Sequence, residues 1–221
     1  MSIANNLLSL NNTLPENVKL VAVSKTKPKE LLLEAYNAGQ RVFGENRPQE
    51  LQQKHNDLPK DIEWHFIGHP QSKQVKYFAP FVHLIHGVDS LKLLTVINKE
   101  ALKNNRTINC LLQFHIASEE TKFGLNLNEA KEILLSPEFK ELKNIAIHGV
   151  MGMATYTDNE HQIKEEFKSL KQTFDNLKNE FYSDDESFRE ISMGMSGDYL
   201  LAINEGSTLI RVGSSIFGIR S

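Results

Sequence analysis

A lysine follows a short apolar run near the start of the chain, in the stretch "KLVAVSKTKP" at residues 19–28. Val21, Val23 and Lys25 alternate along this run, so on a β-strand their side chains share one face. If that face lines a barrel, the amine of Lys25 projects into the mouth of the barrel. A lysine partly shielded from water has a lowered pKa and reacts as a nucleophile with aldehydes. The alternative is a strand-end lysine that only extends its ammonium group into water.

Small and hydroxyl-bearing residues follow two strand-like runs near the end of the chain. Ser196 and Gly197 follow one run, and Gly213, Ser214 and Ser215 follow the next. Backbone N–H groups beside glycine, together with small hydroxyls, bind phosphate oxygens well. An amine facing a phosphate site fits a ligand that has both an aldehyde and a phosphate group. Pyridoxal 5′-phosphate is such a ligand. The residues therefore indicate pyridoxal 5′-phosphate as the cofactor.

Eight strand-like runs alternate with seven helix-like segments and would position these residues. The predicted strands are residues 18–24, 41–45, 63–68, 82–88, 108–117, 145–153, 188–193 and 208–213. The predicted helices are residues 28–38, 47–56, 71–79, 90–104, 127–141, 159–181 and 197–205. Short loops favour parallel strands with right-handed crossovers, and eight units favour a single closed (β/α)8 TIM barrel in the α/β class. A doubly wound open sheet is the alternative, although the turn "SKTKP" lacks the glycines of a dinucleotide site.

The two ends of the chain are expected to complete this barrel. Residues 1–221 are predicted to form one domain, because we find no linker, low-complexity tract or further repeat. The chain stops soon after the eighth predicted strand, so we expect no helix there. An N-terminal helix within residues 2–11 is expected to precede strand one and fill that gap.

Composition limits the compartment and the partners. The formal net charge is −3, which gives no reason to expect nucleic acid as a partner. The single cysteine, Cys110, excludes an internal disulfide and a cysteine-built zinc site. We find no signal peptide and no apolar run long enough to span a membrane, so we expect a cytoplasmic protein. No metal site is predicted, because His65 and His69 would be roughly 13 Å apart on one strand.

Several motifs resemble those of the pyridoxal phosphate homeostasis protein family, which is also called the YggS or PROSC family. The motifs are "VAVSKTKP", "RVFGENRPQE", "WHFIGHPQS", "KFGL", "HGVMGMAT" and "SMGMSGDYLLAINEGSTLIRVGSSIFGIR". They occur in the family's order from about residue 18 to the end. The family is similar to the N-terminal barrel of alanine racemase, the fold-type III architecture. Arg47-Pro48, Pro70 and Lys73-Gln74 depart from the usual pattern and would lie on the rim of the barrel.

The resemblance implies a set of cofactor-binding residues. They are Lys25, Asn46, His69, Ser196, Arg211, Gly213 and Ser214. The lysine would hold pyridoxal 5′-phosphate as a Schiff base, and the two serines with the glycine would hold the phosphate. The arginine would face the pyridine nitrogen, Asn46 would lie near the ring, and His69 is a weaker lining candidate.

The resemblance favours a carrier or regulator of pyridoxal 5′-phosphate over an enzyme. An arginine can only donate hydrogen bonds, so a pyridine nitrogen facing it stays unprotonated and the ring is a weaker electron sink. We also expect no second domain of the kind that closes the active site of alanine racemase. A small fold-type III amino-acid racemase is the alternative, or a Schiff-base aldolase if the cofactor is absent. Apo enzymes that need the cofactor are candidate recipients, and we expect a monomer.

Overall fold

The computed structural model describes residues 2–119 and 123–218, and its strands close into a parallel barrel. The strands are β1 Lys19–Val23, β2 Val42–Glu45, β3 Glu63–Phe66, β4 Leu84–Val88, β5 Ile108–Phe114, β6 Ile145–Gly152, β7 Glu190–Met195 and β8 Leu209–Val212. Each strand pairs with the next, and β8 pairs with β1 from Lys19 opposite Leu209 to Ala22 opposite Val212. The predicted (β/α)8 barrel is therefore confirmed, and the open sheet is wrong. Lys122 of the "KFGL" motif and residues 219 and 220 of the final motif lie outside the described residues.

Helices cover the outside of the barrel. They are α1 Ile3–Asn11, α2 Lys29–Asn37, α3 Pro48–Asp57, α4 Leu91–Lys103, α5 Leu127–Leu135, α6 Pro137–Lys140, α7 Glu160–Phe181, α8 Tyr199–Asn204 and α9 Ser214–Phe217. A 3-10 helix, Ser72–Tyr77, connects β3 to β4. Within the described residues, none of these helices has the length and apolar character needed to cross a membrane.

Three helical predictions differ from the structure. A short helix, α9, follows β8, so the expectation of no helix there was wrong. The segment predicted as one helix at 127–141 is two helices, because Ser136 ends α5 and its hydroxyl caps α6 at the N–H of Phe139, with Pro137 in the first turn. The segment at 71–79 forms a 3-10 helix, and Pro80 disfavours its continuation as an α-helix.

The predicted N-terminal helix lies between the first and last helices of the barrel. The backbone N–H of Ile3 in α1 donates to Oε1 of Glu34 in α2, at 3.2 Å. The side-chain amide of Asn6 donates to the carbonyl of Ile216 in α9, at 2.9 Å. The helix thus joins the two ends of the helical ring, next to the seam between β1 and β8.

Two apolar layers hold the barrel together. The larger lies between the strands and the helices and includes Trp64 and Phe43. The smaller fills the inside of the barrel and consists of Val21, Leu84, Leu111, Met151 and Leu209. Because Val21 belongs to the inner layer, the alternation along β1 places its odd-numbered face inward.

Candidate functional site

Lys25 lies in a turn at the carboxyl end of the barrel, where active groups of this fold are found. The strand β1 ends at Val23, so Lys25 is two residues beyond the strand rather than its last residue. The side chain is half-buried. The turn is tight: the N–H of Lys27 donates to the carbonyl of Ser24, and Thr26 has a φ of 65°, which is uncommon for a residue with a side chain.

A buried ion network supports this turn from below. Nζ of Lys54 lies 2.6 Å from Oε1 of Glu45 and 2.7 Å from Oε1 of Glu50, and it donates to the carbonyl of Ser24 at 2.8 Å. Glu50 also accepts a hydrogen bond from the N–H of Thr26, at 2.6 Å. The residues on both sides of Lys25 are therefore held by the same ammonium–carboxylate cluster.

Burial and neighbouring charge shift the pKa of Glu45 in opposite directions. Loss of water around the carboxyl raises its pKa, while the ammonium of Lys54 and the hydroxyl of Ser24 lower it. The net direction is upward. Ser24 donates to Oε1 at 2.7 Å, whereas Oε2 has no partner within the described residues.

Asn46 brings an unpaired acceptor to the same end of the barrel. Its Oδ1 is buried and has no hydrogen-bond partner among the described residues. Gly68 packs closely against it, since a Cβ at Gly68 would lie 2.9 Å from the carbonyl oxygen of Asn46 and 3.0 Å from its Cβ. The site therefore fits a ligand that supplies an O–H or N–H donor to Oδ1.

The loops after β7 and β8 meet at the predicted phosphate site. The N–H of Gly213 donates to Oγ of Ser196 at 3.2 Å, which joins the two loops. Gly213 precedes α9, and Ser214 is its exposed first residue. A Cβ at Gly213 would lie 3.1 Å from the carbonyl oxygen of Val23 and 3.2 Å from its Cβ. The predicted phosphate loop therefore packs directly on the strand that leads to Lys25.

Arg211 is buried inside the barrel, on the face of β8 that also carries the inner-layer residue Leu209. It donates through Nη1 to Oγ of Ser192 at 2.5 Å and through Nη2 to the carbonyl of Gly152 at 3.1 Å. Burial lowers the pKa of Arg211 to about 10, and Asp198 acts against this shift. The guanidinium therefore stays charged at neutral pH, with donors left over for a ligand.

His69 lies on the rim among residues from the loops after β4 and β5. Its Nδ1 is 3.3 Å from Oδ2 of Asp89, and its ring stacks on Phe123 with centroids 4.4 Å apart. The pKa of Asp89 is raised mainly by burial, against a lowering effect of His69. Of the predicted site residues, Ser196, Gly213 and Ser214 come together, whereas His69 is held by other rim residues.

Two sets of polar residues escaped the prediction from sequence. The first is the cluster of Glu45, Glu50 and Lys54, for which the i, i+4 spacing of Glu50 and Lys54 on a helix was an available signal. The second is a chain inside the barrel in which His86 contacts Ser192, the partner of Arg211. No spacing in the sequence indicates this chain, because its members come from separate strands.

Comparison with known proteins identifies relatives along almost the whole chain. The alanine racemase N-terminal domain family matches residues 1–221. The pyridoxal phosphate homeostasis protein of Aquifex aeolicus is 39% identical over 204 residues, which are 91% of this chain and 87% of the relative. The protein of the same name from Escherichia coli is 35% identical over 210 residues, which are 93% and 87% of the two chains.

Solved structures also match this chain along almost its whole length. PipY of Synechococcus elongatus, solved without PLP, superposes with a TM-score of 0.90 at 35% identity, over 98% of this chain and all of that one. The PLP-bound structure of PipY gives 0.87 at 34% identity, with the same coverage. Alanine racemase of Clostridium difficile gives 0.79 at 15% identity, over 99% of this chain and 56% of that one, which is a likeness of fold. The chain belongs to the pyridoxal phosphate homeostasis protein family, within the alanine racemase N-terminal domain family.

Proposed function

We infer that this chain binds pyridoxal 5′-phosphate and acts in its homeostasis, holding the cofactor covalently on Lys25. The names of its relatives and the PLP-bound structure of PipY support the cofactor. The covalent bond joins Nζ of Lys25 to the aldehyde carbon of the cofactor, as a Schiff base, with loss of one water molecule. This bond rests on the position of Lys25 and on the family resemblance.

One observation carries the assignment: the packing of Gly213 on Val23. This contact puts the loop predicted to bind phosphate beside the turn that carries the amine. A cofactor with its phosphate near Ser196, Gly213 and Ser214 would then have its aldehyde within the same mouth as Lys25.

Two further residues, Asn46 and Arg211, are suited to contact the pyridine ring of the cofactor. Oδ1 of Asn46 is a buried acceptor that no described residue satisfies, so a ligand with a hydroxyl group would pair it. Arg211 is a buried, charged donor on the strand that leads to the phosphate loop. We propose that its guanidinium donates to the pyridine nitrogen.

The charge on Arg211 disfavours reactions that pass through a long-lived carbanion, although racemases of similar architecture tolerate such an arginine. Bound pyridoxal phosphate supplies an electron sink, and that sink is strongest when its pyridine nitrogen is protonated. A guanidinium only donates, so it holds the nitrogen in its unprotonated form. We therefore propose binding and transfer of the cofactor without efficient turnover of amino acids.

Recipients, assembly and compartment complete the proposal. We propose that apo enzymes requiring pyridoxal 5′-phosphate receive it from this chain, that residues 1–221 form one domain, and that the protein is a cytoplasmic monomer. Mixing the loaded protein with an apo enzyme tests the first point, by following recovery of that enzyme's activity. A membrane separating the two proteins is the control, since recovery through it would mean release into solution rather than direct transfer.

Absorbance and a panel of amino acids test the function itself. We expect the visible absorbance of a covalently held cofactor in the protein loaded with pyridoxal 5′-phosphate. We expect no change in the optical rotation of L- or D-amino acids over that of buffer with free cofactor. Racemisation that depends on Lys25 would support the racemase instead, and absence of cofactor binding would reject both functions.

A further inference from the structure

Three potential metal ligands meet at the amino-terminal end of the barrel, opposite the mouth. Glu63 begins β3, His65 follows two residues later on the inward face, and His83 directly precedes β4. One ligand atom from each of the three lies within 4.8 Å of the others. Sequence spacing did not indicate this cluster, because it forms across two neighbouring strands.

His65 presents an unsatisfied nitrogen to this cluster. The residue is 3% exposed, and its Nε2 is buried without a hydrogen-bond partner in the described part of the chain. The other ring nitrogen, Nδ1, lies 2.9 Å from Nε2 of His86. A buried polar atom without a partner is costly, and a bound ion would satisfy it.

The distances suit one small ion once the exposed ring of His83 turns, because the rings of His65 and His83 lie stacked and nearly parallel. Nε2 of His83 lies 3.6 Å from Oε2 of Glu63, and the rings of His83 and His65 are 5.5 Å apart. Ligands bound tetrahedrally to zinc at about 2.0–2.2 Å are separated by roughly 3.3–3.6 Å. The side chains of His83 and Glu63 are 48% and 45% exposed, so rotation of either can shorten the remaining distance.

We propose that Glu63, His65 and His83 form a binding site for a divalent first-row transition metal ion, for which zinc is the natural probe. Two imidazoles and one carboxylate are a donor set that zinc uses, with a fourth position left for water. Hard cations such as magnesium prefer sites built from oxygen ligands, so this set selects against them.

The charges around the cluster are compatible with a cation. Glu63 contributes a carboxylate to the three potential ligands. The positive charge of Lys19 opposes a cation, but this ammonium pairs with Glu190 at 3.8 Å.

His86 supports the proposed ligand from behind. A metal-binding histidine usually donates its other ring N–H to a neighbouring acceptor, which fixes the ring orientation. With an ion on Nε2 of His65, its Nδ1 carries the hydrogen and donates to Nε2 of His86. His86 then donates from Nδ1 to Oγ of Ser192, 2.9 Å away, which also accepts from Arg211. The ion therefore fixes the direction of a hydrogen-bond chain that reaches Arg211.

Titration of untagged protein with zinc, followed by calorimetry, tests the site, and cobalt absorbance reports the ligand geometry. We expect one zinc per chain, no binding of magnesium, and a cobalt spectrum typical of four ligands. His83→Gln and Glu63→Gln alter exposed side chains and keep the fold, and each should weaken zinc binding about tenfold or more. His86→Gln should weaken it by roughly 10–100-fold as a supporting residue. The exposed His161→Gln on α7 is the matched control and should change nothing.

Two results would overturn the site. One is the absence of stoichiometric zinc binding in the wild-type protein. The other is wild-type affinity in both His83→Gln and Glu63→Gln, which would place the ion elsewhere. Because neither readout uses pyridoxal phosphate, the outcome is independent of the function proposed for the mouth of the barrel.

Discussion

The ammonium of Lys54 lies 2.6 Å from Oε1 of Glu45, and both side chains are buried beneath the turn that carries Lys25. The same ammonium reaches the carbonyl of Ser24, the residue just before Lys25. An internal ion pair thus positions a proposed covalent attachment point that it does not itself touch. Removing one partner leaves a buried charge uncompensated, which is more harmful than removing both.

Lys54→Met should destabilise the protein strongly, by about 3–5 kcal/mol in the free energy of urea unfolding, because Glu45 loses its counter-charge in a buried site. Adding Glu45→Gln to this variant should recover part of that loss. Lys29→Met is the matched control, since its partner Asp57 and the lysine itself are exposed, and it should cost far less stability than Lys54→Met. Equal losses of stability in Lys54→Met and Lys29→Met would mean that the buried ion pair matters no more than the exposed one.

Gly213→Val should weaken binding of pyridoxal 5′-phosphate more than Ser214→Ala does. A Cβ at Gly213 would lie only 3.1 Å from the carbonyl oxygen of Val23, so a valine pushes the loop away from β1, whereas Ser214 is exposed. Fluorescence titration with the cofactor, and with pyridoxal lacking phosphate, measures both effects. Equal affinities for the two ligands in the wild-type protein would remove the phosphate loop from the site.

Arg211 should hold the pyridine nitrogen of bound cofactor unprotonated. The nitrogen-15 chemical shift of labelled pyridoxal phosphate reports this state directly in the wild-type protein. Arg211→Glu should move the shift toward the protonated value, because it supplies an anionic acceptor, and Arg211→Gln is the neutral control. Cofactor occupancy must be measured in each variant, since loss of the guanidinium also loosens binding. A protonated nitrogen in the wild-type protein would show that Arg211 does not face it.

Acid should destabilise the barrel through its buried histidines. Burial lowers the pKa of His65 to about 3 and lowers that of His86 well below its usual value. The unfolded chain binds protons on these rings near pH 6.5, whereas the folded chain does not, so stability falls as the pH decreases from about 6.5 toward 3. One such histidine lowers the free energy of unfolding by about 2 kcal/mol between pH 6.5 and pH 5.

Urea unfolding at these two pH values, in the presence of a chelator, checks the effect. His65→Gln should reduce the loss of stability on acidification by about the contribution of one histidine. The exposed His161→Gln is the control and should leave the loss unchanged. An identical pH dependence in His65→Gln and the wild-type protein would show that this ring is not responsible.

The barrel was predictable because its signals are local. Alternating apolar strands and amphipathic helices indicated the order of the elements. Gly39 and Gly206, with φ of 101° and 96°, follow the ends of α2 and α8, where the left-handed conformation suits glycine. The errors have local causes as well. Pro137 split one predicted helix, and the short helix α9 was too brief to show a helical period.

The polar interior was less predictable because its contacts join distant strands. His65, His86, Ser192 and Arg211 come from β3, β4, β7 and β8, and only closure of the barrel brings them into one hydrogen-bond chain. Lys25 could be proposed from the sequence because its position after a strand is a local feature. Glu45 was overlooked because its burial depends on Lys54 from the following helix.

The most direct test of the proposed function is reduction of the loaded protein with borohydride, followed by peptide mapping. Reduction makes the bond between the cofactor and its lysine permanent, so the labelled residue can be read by mass spectrometry. We predict a pyridoxyl label on Lys25 and loss of that label in Lys25→Ala, which should keep the fold and its circular dichroism spectrum. A label on Lys27, Lys54 or any other lysine in the wild-type protein would contradict the assignment.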